Sequence, residues 1–316
     1  MADMSDTRYG LLLPTALTQL STSGSARDLI GIAVSAERLG FDSVWVGDSL
    51  LRPRIEPLAL LSALAAATSR VTLGTAVLLP AYRHPVLAAL SIASLDLISA
   101  GRVVIGVGGG FPGLSGPEFD LVGVRLKTRF SHLNDAVALW RQLWSGAPKS
   151  FHGKVLHYDW LPEVPRPHRD GGPPIWLGGA TSAALRRTGR FYDGWLPYPP
   201  AVEDYASGLA SVRAAAATAG RAEESVTPAL YATVHVDDDV ERGRRELDRY
   251  CRANYRMHLD AVGAVQVMMA GSLDSVAAQL RRYTDAGAQH VLIRVAAIEP
   301  ETFTSQLSAA APLLHM

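Results

Sequence analysis

Four short stretches of the chain concentrate side chains able to do chemistry. In the first, WVGDSL, Asp48 and Ser49 follow an apolar run and supply a carboxylate and a hydroxyl. The second, Pro80-Ala81-Tyr82-Arg83-His84-Pro85, puts a guanidinium and an imidazole in one turn. Arg83 can hold an anion by paired donors, and His84 can exchange a proton near neutral pH. The third, GVGGGFPG, contains Gly108, Gly109 and Gly110, which without side chains let backbone approach a flat ring closely, and Phe111, which can lie against such a ring or cap the core. It is not the dinucleotide-binding fingerprint, because the third glycine is missing and no helix follows at once. In the fourth, Gly178, Gly179, Ala180, Thr181 and Ser182 run straight into a helical segment, where free N–H groups and the helix dipole suit a phosphate. Thr181 and Ser182 either add donors there or serve as N-caps. Each residue also has a plain structural use: Asp48 can tie up loop amides, His84 can cap its surroundings, and Arg83 can sit in solvent.

The elements around these stretches alternate. Runs rich in Val, Leu and Trp at 9–13, 43–47, 72–79, 103–107, 175–177, 194–197, 229–235 and 290–295 read as strands. Helical periodicity fills 26–39, 57–68, 85–98, 128–144, 182–190, 202–219, 239–255 and 273–286, with a short last helix at 300–310. Gly40, Gly220 and Gly287 stand where helices stop, and Pro85 where one starts. Eight strand–helix units predict a closed α/β TIM barrel, (β/α)8, rather than an open doubly wound sheet. In a barrel the site lies just past the strand ends, and the four stretches follow the second, third, fourth and fifth strands. Two segments fall outside the repeating unit, 108–127 and 146–174, and are expected as loop insertions; 150–158 within the second suggests a hairpin. The stretch 257–272 is expected as a loop that, with the insertions, sets substrate choice.

The 316 residues are 48% hydrophobic without a long charged or Ser/Gly-rich tract, so one domain spanning 1–316 is expected. Thirty Lys and Arg balance thirty Asp and Glu, which leaves no global field for nucleic acid or an anionic membrane. No run approaches the roughly 20 apolar residues needed to span a bilayer, and the N-terminus lacks an export signal. The lone Cys251 cannot form an intramolecular disulfide, which fits a reducing cytoplasm. Histidine and cysteine spacing offers no metal ligand set.

VTLGTAVLLPAYRHPVLAALSIASLDLISAGRVVIGVGGG from Val71 to Gly110, with PPIWLGGATSAALRRTGRFYDGWLP from Pro173 to Pro197, resembles the luciferase-like family of flavin monooxygenases and coenzyme F420 oxidoreductases. The resemblance implies a two-electron enzyme acting on a small organic substrate, with F420 or FMN as cofactor at the barrel mouth. It implies a non-proline cis peptide at Ala76–Val77 behind the ring, ring contacts from Gly108 to Phe111, and the cofactor phosphate at Gly178 to Ser182. Where family members carry Asp-His or Glu-His-His after the second strand, this chain has Asp48-Ser49. A hydroxyl is a poor general base, so His84 becomes the first candidate for proton exchange, with Asp48, Ser49 and Arg83 around it. Asp in place of Glu-His-His tilts the reading toward F420. An oxygen-using FMN monooxygenase and a flavin-binding protein without turnover are the alternatives. Family members are often dimers, so a homodimer is expected.

Overall fold

The computed structural model describes residues 7–16, 27–51, 53–111, 115–146 and 148–315; Ala26, Pro112, Gly113, Ala147 and the opening residues 1–6, which figured above, lie outside the described residues. Within them the strands in chain order are β1 (Arg8–Leu12), β2 (Ser43–Val46), β3 (Thr72–Leu78), β4 (Val103–Val107), β5 (Phe151–His152), β6 (His157–Tyr158), β7 (Ile175–Gly178), β8 (Gly194–Leu196), β9 (Thr227–Val236), β10 (Val267–Gly271) and β11 (His290–Val295). β1, β2, β3, β4, β7, β8, β9 and β11 pair side by side in parallel, and β11 pairs with β1 to close an eight-stranded TIM barrel. These are the eight runs expected as strands. β5 and β6 form the small antiparallel hairpin expected within 150–158.

The helices are α1 (Asp28–Leu39), α2 (Pro57–Ala67), α3 (Pro85–Ile98), α4 (Gly116–Leu121), α5 (Arg129–Ser145), α6 (Ser182–Phe191), α7 (Val202–Thr218), α8 (Val240–Tyr255), α9 (Leu259–Gly263), α10 (Leu273–Asp285) and α11 (Pro300–Ala310). Their ends follow local chemistry. Gly40, at φ 100°, closes α1 with its N–H on Ala36 and Glu37, a conformation that costs glycine nothing. The Glu56 carboxylate accepts the Ala59 N–H at 2.7 Å to open α2. Leu61 and Leu64 of α2 and Ile92 of α3 are fully buried on the outer face of the barrel, each contributing about 1.5–3 kcal/mol.

The stretch 257–272 is not a plain loop. It contains α9 and β10, and β10 pairs in parallel with the far half of β9, from Val267↔Ala232 to Gly271↔Val236. β8 pairs only with the start of β9, at Thr227 and Pro228. The Val267 N–H bonds the Tyr198 carbonyl at 3.1 Å, so β10 wedges between β8 and β9 where they part. Its sequence, VMMAG, is short, Met-rich and followed directly by a helix cap, which hides it from a search for Val/Ile-rich runs.

The lower barrel interior is built around two tryptophans and a histidine, with Leu12, Val104, Leu196 and Leu292 packed in the same cluster. Trp45 and Trp176 lie 5.2 Å apart, and His290 stands edge-on to both, at 5.7 and 5.3 Å. Glycines make the room. A Cβ on Gly74 would fall 2.1 Å from the Trp45 ring, one on Gly10 2.6 Å from its Nε1, and one on Gly194 2.3 Å from Trp176. Trp45 Nε1 donates to Ser43 Oγ at 2.7 Å, and Ser43 Oγ lies 2.7 Å from His290 Nε2. This floor closes the barrel interior below the C-terminal mouth.

Candidate active site

Asp48, just past β2, is the hub of the first pair of loops. Its carboxylate is 5% exposed and takes both Arg83 amines, Nη1 on Oδ2 at 2.6 Å and Nη2 on Oδ1 at 3.3 Å. Oδ2 also accepts the Leu79 N–H at 3.0 Å. Arg83 turns its other edge to Glu56, with Nη2 and Nε on Oε1 at 2.6 and 3.1 Å. Burial disfavours the Arg83 charge, but hydrogen bonds and attraction from Asp48 and then Glu56 outweigh it and hold the guanidinium pKa above its ordinary value. The carboxylate and guanidinium expected after β2 and β3 are thus brought together. They are joined to each other, and Arg83 is neutralised by two carboxylates rather than presented to an anion.

Ser49 is equally committed. Its Oγ donates to Glu118 Oε1 at 2.8 Å, and the same oxygen accepts the Leu50 and Leu51 N–H groups. Glu118, on α4 of the first insertion, is 3% exposed; it ties that insertion to the β2 loop. Burial, followed by the Glu118 carboxylate beside it, pushes the Tyr82 phenol well above its usual range. His84 holds the N-cap position of α3 without a side-chain capping bond, exposed, its ring edge-on to Tyr158 of the hairpin at 5.7 Å. Asp48, Ser49 and Arg83 therefore form a connected rim, and His84 stands at its outer edge.

The third strand carries the irregularity. The Ala76–Val77 peptide is cis, and the β3–β4 register shifts between Thr75 and Leu78. Ala76 and Val77 are half-buried above the barrel interior. Val77 is boxed by glycines: a Cβ on Gly108 would meet its Cγ2 at 2.7 Å, and Cβ atoms on Gly106 and Gly178 its Cγ1 at 3.4 Å. Farther along, a Cβ on Gly109 would strike the Phe130 ring at 2.5 Å, and Gly110 has φ 84°. Phe111 leans toward Tyr255, rings 6.3 Å apart, and its N–H is held by Ser115 Oγ at 2.9 Å.

After β7 the chain turns through Gly178, Gly179 (φ 105°) and an exposed Ala180 into α6. Thr181 is the N-cap, accepting the Ala184 N–H at 3.3 Å. The Gly179 carbonyl is fixed by Trp195 Nε1 at 2.9 Å, and Trp195 in turn stacks on Tyr205 at 5.1 Å. Thr181 and Ser182 are exposed at the helix start, so this turn, tied by the Trp195 and Thr181 bonds, faces outward at the start of α6. That combination accommodates an anionic group.

A family model described as luciferase-like monooxygenase matches residues 7–290. The chain belongs to that family. Among relatives of this luciferase-like protein, an F420-dependent glucose-6-phosphate dehydrogenase of Amycolatopsis mediterranei (strain U-32) is 29% identical over 89% of this chain and 92% of its own. The solved structure of an F420-dependent secondary alcohol dehydrogenase in complex with an F420–acetone adduct superposes with a TM-score of 0.81 at 21% identity, covering 98% of this chain and 99% of that one. A monooxygenase from Streptomyces bottropensis superposes with a TM-score of 0.79, also at 21% identity and 98% of each chain. At that identity the two structures speak for the barrel alone.

In the luciferase-like barrel, several mouth residues escaped the sequence reading. Arg294 on β11 is 7% exposed and shares its face with His290, which points inward. Its Nε donates to Thr233 Oγ1 at 2.9 Å, its Nη2 to Gln266 Oε1 at 3.1 Å and its Nη1 to the Tyr255 hydroxyl. Tyr231, Tyr250 and Tyr255 rings lie 5.1, 5.3 and 5.3 Å from the guanidinium carbon. Arg54, past β2, donates Nη1 to Thr15 Oγ1 at 3.0 Å and lies over Gly47, where a Cβ would come within 2.5 Å of Nη1. Among the described residues no group of three His, Cys, Asp or Glu is placed to hold a metal ion. No helix among them is long and apolar enough to cross a membrane.

Proposed function

We propose that this luciferase-like protein is a single-domain, cytoplasmic homodimer that uses coenzyme F420 to move a hydride to or from a small organic substrate. The observation carrying the reading is the half-buried Ala76–Val77 bulge, boxed by Gly106, Gly108 and Gly178, beside the open N-terminus of α6. A flat ring fits against such a bulge, and a phosphate fits the Gly178 to Ser182 turn. The F420-dependent dehydrogenase named above, similar along most of both chains, favours F420 over FMN.

When bound, F420 supplies a reversible two-electron carrier. The chain's own residues divide the remaining work. Ala76 and Val77 back the ring, Gly108, Gly109, Gly110 and Phe111 border it, and Gly178, Gly179, Ala180, Thr181 and Ser182 hold the phosphate. Asp48 and Arg83 position the β2 and β3 loops through their paired bonds and Leu79, and Ser49 joins that frame through Glu118. His84, exposed and with its ring edge-on to Tyr158, is the rim's acid–base group. The homodimer reading rests on α2 and α3. α2 has no charged residue, the one charge of α3, Asp96, is buried, and Leu87, Leu90, Leu97 and Ile98 of α3 are exposed. A helix apolar all round belongs under a cover.

Titration of the purified protein with oxidised and reduced F420, and separately with FMN, tests the reading, followed by turnover on alcohols and sugar derivatives with and without oxygen. Tight F420 binding and oxygen-independent bleaching of the deazaflavin are expected. Binding of neither cofactor overturns the proposal, and oxygen-dependent turnover with FMN alone replaces it with a monooxygenase.

A further inference from the structure

Arg294 is a permanently charged group inside a barrel. Among the described residues no carboxylate pairs with it; its partners are one hydroxyl from Thr233, one phenol from Tyr255 and one amide oxygen from Gln266. A guanidinium has five N–H donors, and these three bonds occupy one on each nitrogen. The Tyr255 hydroxyl and Gln266 Oε1 lie 3.2 Å apart, so together they fill the end-on fork of Nη1 and Nη2; the outward N–H on each of these nitrogens remains. Burying a guanidinium without an anion is expensive, and neutral acceptors and ring faces offset only part of the cost.

A second cation reaches the same space from the β2 side. Arg54 crosses over Gly47, and the space a Gly47 Cβ would take lies 3.9 Å from the Ala76 carbonyl of the bulge. Its Nε is buried without a hydrogen-bond partner. Both guanidiniums act electrostatically on the Tyr231 and Tyr250 phenols, whose pKa values are raised chiefly by burial. The contrast with Arg83 is direct, since Arg83 has two carboxylates and among the described residues these two have none.

We infer that Arg294 and Arg54 form an anion subsite at the barrel mouth, and that the organic substrate carries a carboxylate or phosphate which this pair holds beside the Ala76–Val77 bulge. The inference rests on the proposed reading of this mouth as the substrate site, and it narrows the substrate class to acids and phosphate esters. Phe111, leaning on Tyr255, links the first insertion to this subsite.

Calorimetric titration with inorganic phosphate, and in a second arm with acetate, tests it on the full chain, alone and saturated with F420. On the proposed reading the cofactor's own phosphate would occupy the α6 turn in the F420-saturated protein, so residual anion binding would report the arginine pair. Phosphate or acetate binding is expected in the wild type and is expected to weaken about tenfold or more in Arg54→Gln and Arg294→Lys. Arg294→Lys keeps a charge but loses the outward guanidinium N–H groups, and Arg54→Gln, at a half-exposed position, carries the test should Arg294→Lys fail to fold. Tighter binding of phosphate than acetate assigns the subsite to phosphate esters, and the reverse assigns it to carboxylates. Absence of anion binding, or binding unchanged in both variants, overturns the inference. If F420 does not bind, the titrations without cofactor still decide the subsite: loss in the arginine variants with retention in Ser182→Asp supports it although the cofactor reading has failed.

Discussion

Lowering the pH from 7 to 5 should destabilise this protein chiefly through His290 in its barrel floor. His290 is held neutral, with a pKa lowered to about 3, by burial between Trp45 and Trp176 and, secondarily, by the nearby charge of Arg8. The hydrogen bonds agree with a neutral ring. Trp45 Nε1 can only donate, so Ser43 Oγ accepts from it, and the arrangement that wastes no donor sends the Ser43 proton to His290 Nε2. In the unfolded chain the imidazole titrates near 6.5. Between those two values the unfolded state binds a proton that the native state refuses, so stability is complete above about pH 6.5 and falls as the pH drops toward 3. At pH 5 the loss is roughly 1.5 pH intervals of about 1.36 kcal/mol, or about 2 kcal/mol. With a urea slope of about 3 kcal/mol/M for a chain of this size, the midpoint should move down by about 0.7 M. Urea unfolding followed by tryptophan fluorescence at pH 7, 6 and 5 measures it. His132, also lowered by burial, adds to the slope with the same sign, whereas the lowered carboxylates Glu37, Asp237 and Asp248 respond only near and below about pH 4. His290→Gln should therefore remove about one proton from the wild-type dependence, whatever its stability at pH 7. A wild-type midpoint that does not move from pH 7 to 5, or a variant with an undiminished slope, refutes the reasoning.

Gly74→Ala should cost about 3 kcal/mol, because its Cβ would fall 2.1 Å from a Trp45 ring hemmed in by Trp176 and His290. Gly31→Ala on α1, where a Cβ meets nothing within 4 Å, should gain roughly 0.5–1 kcal/mol; thermal melts of the pair check both. Glu118→Ala strands the Ser49, Leu50 and Leu51 donors and should cost about 2 kcal/mol in urea unfolding, against under about 1 kcal/mol for Ser49→Ala; equal costs would remove Glu118 from the frame. His84→Ala should lower turnover more than F420 affinity, and Gly179→Glu should do the reverse by setting a charge at the α6 turn, as steady-state kinetics with cofactor titration would show. Leu87→Glu with Leu97→Glu on α3 should convert a dimer into a monomer in light scattering coupled to gel filtration.

The barrel was legible because its strands and helices advertise themselves locally. Runs such as VVIGV and HVLIRV lie between amphipathic or apolar helices with glycine and proline at their ends, and each such unit could be counted without knowing its neighbours. The location of the rim followed from the count, since side chains just past parallel strands converge on one end. What each rim residue does was not legible, because that depends on partners far away in sequence. Arg83 reads as a free cation until Glu56 and Asp48 are seen on either side of it. Ser49 reads as a weakened base until Glu118, 69 residues on, is found holding it.

Arg294 shows where the limit lies. In HVLIRV, residues 290, 292 and 294 share one face and 291, 293 and 295 the other, as the period of two requires. Both faces of a barrel strand are buried, so hydrophobicity alone does not say which set looks inward. His290 breaks the tie in the structure, because its ring lies between two tryptophans at the centre of the barrel and carries Arg294 inward by parity. One polar residue at the base of a strand thus fixes the orientation of a charged one at its top. A histidine and an arginine four residues apart in a core strand are therefore a usable signal: they place a guanidinium over the barrel axis, where the cost of its burial calls for an anion.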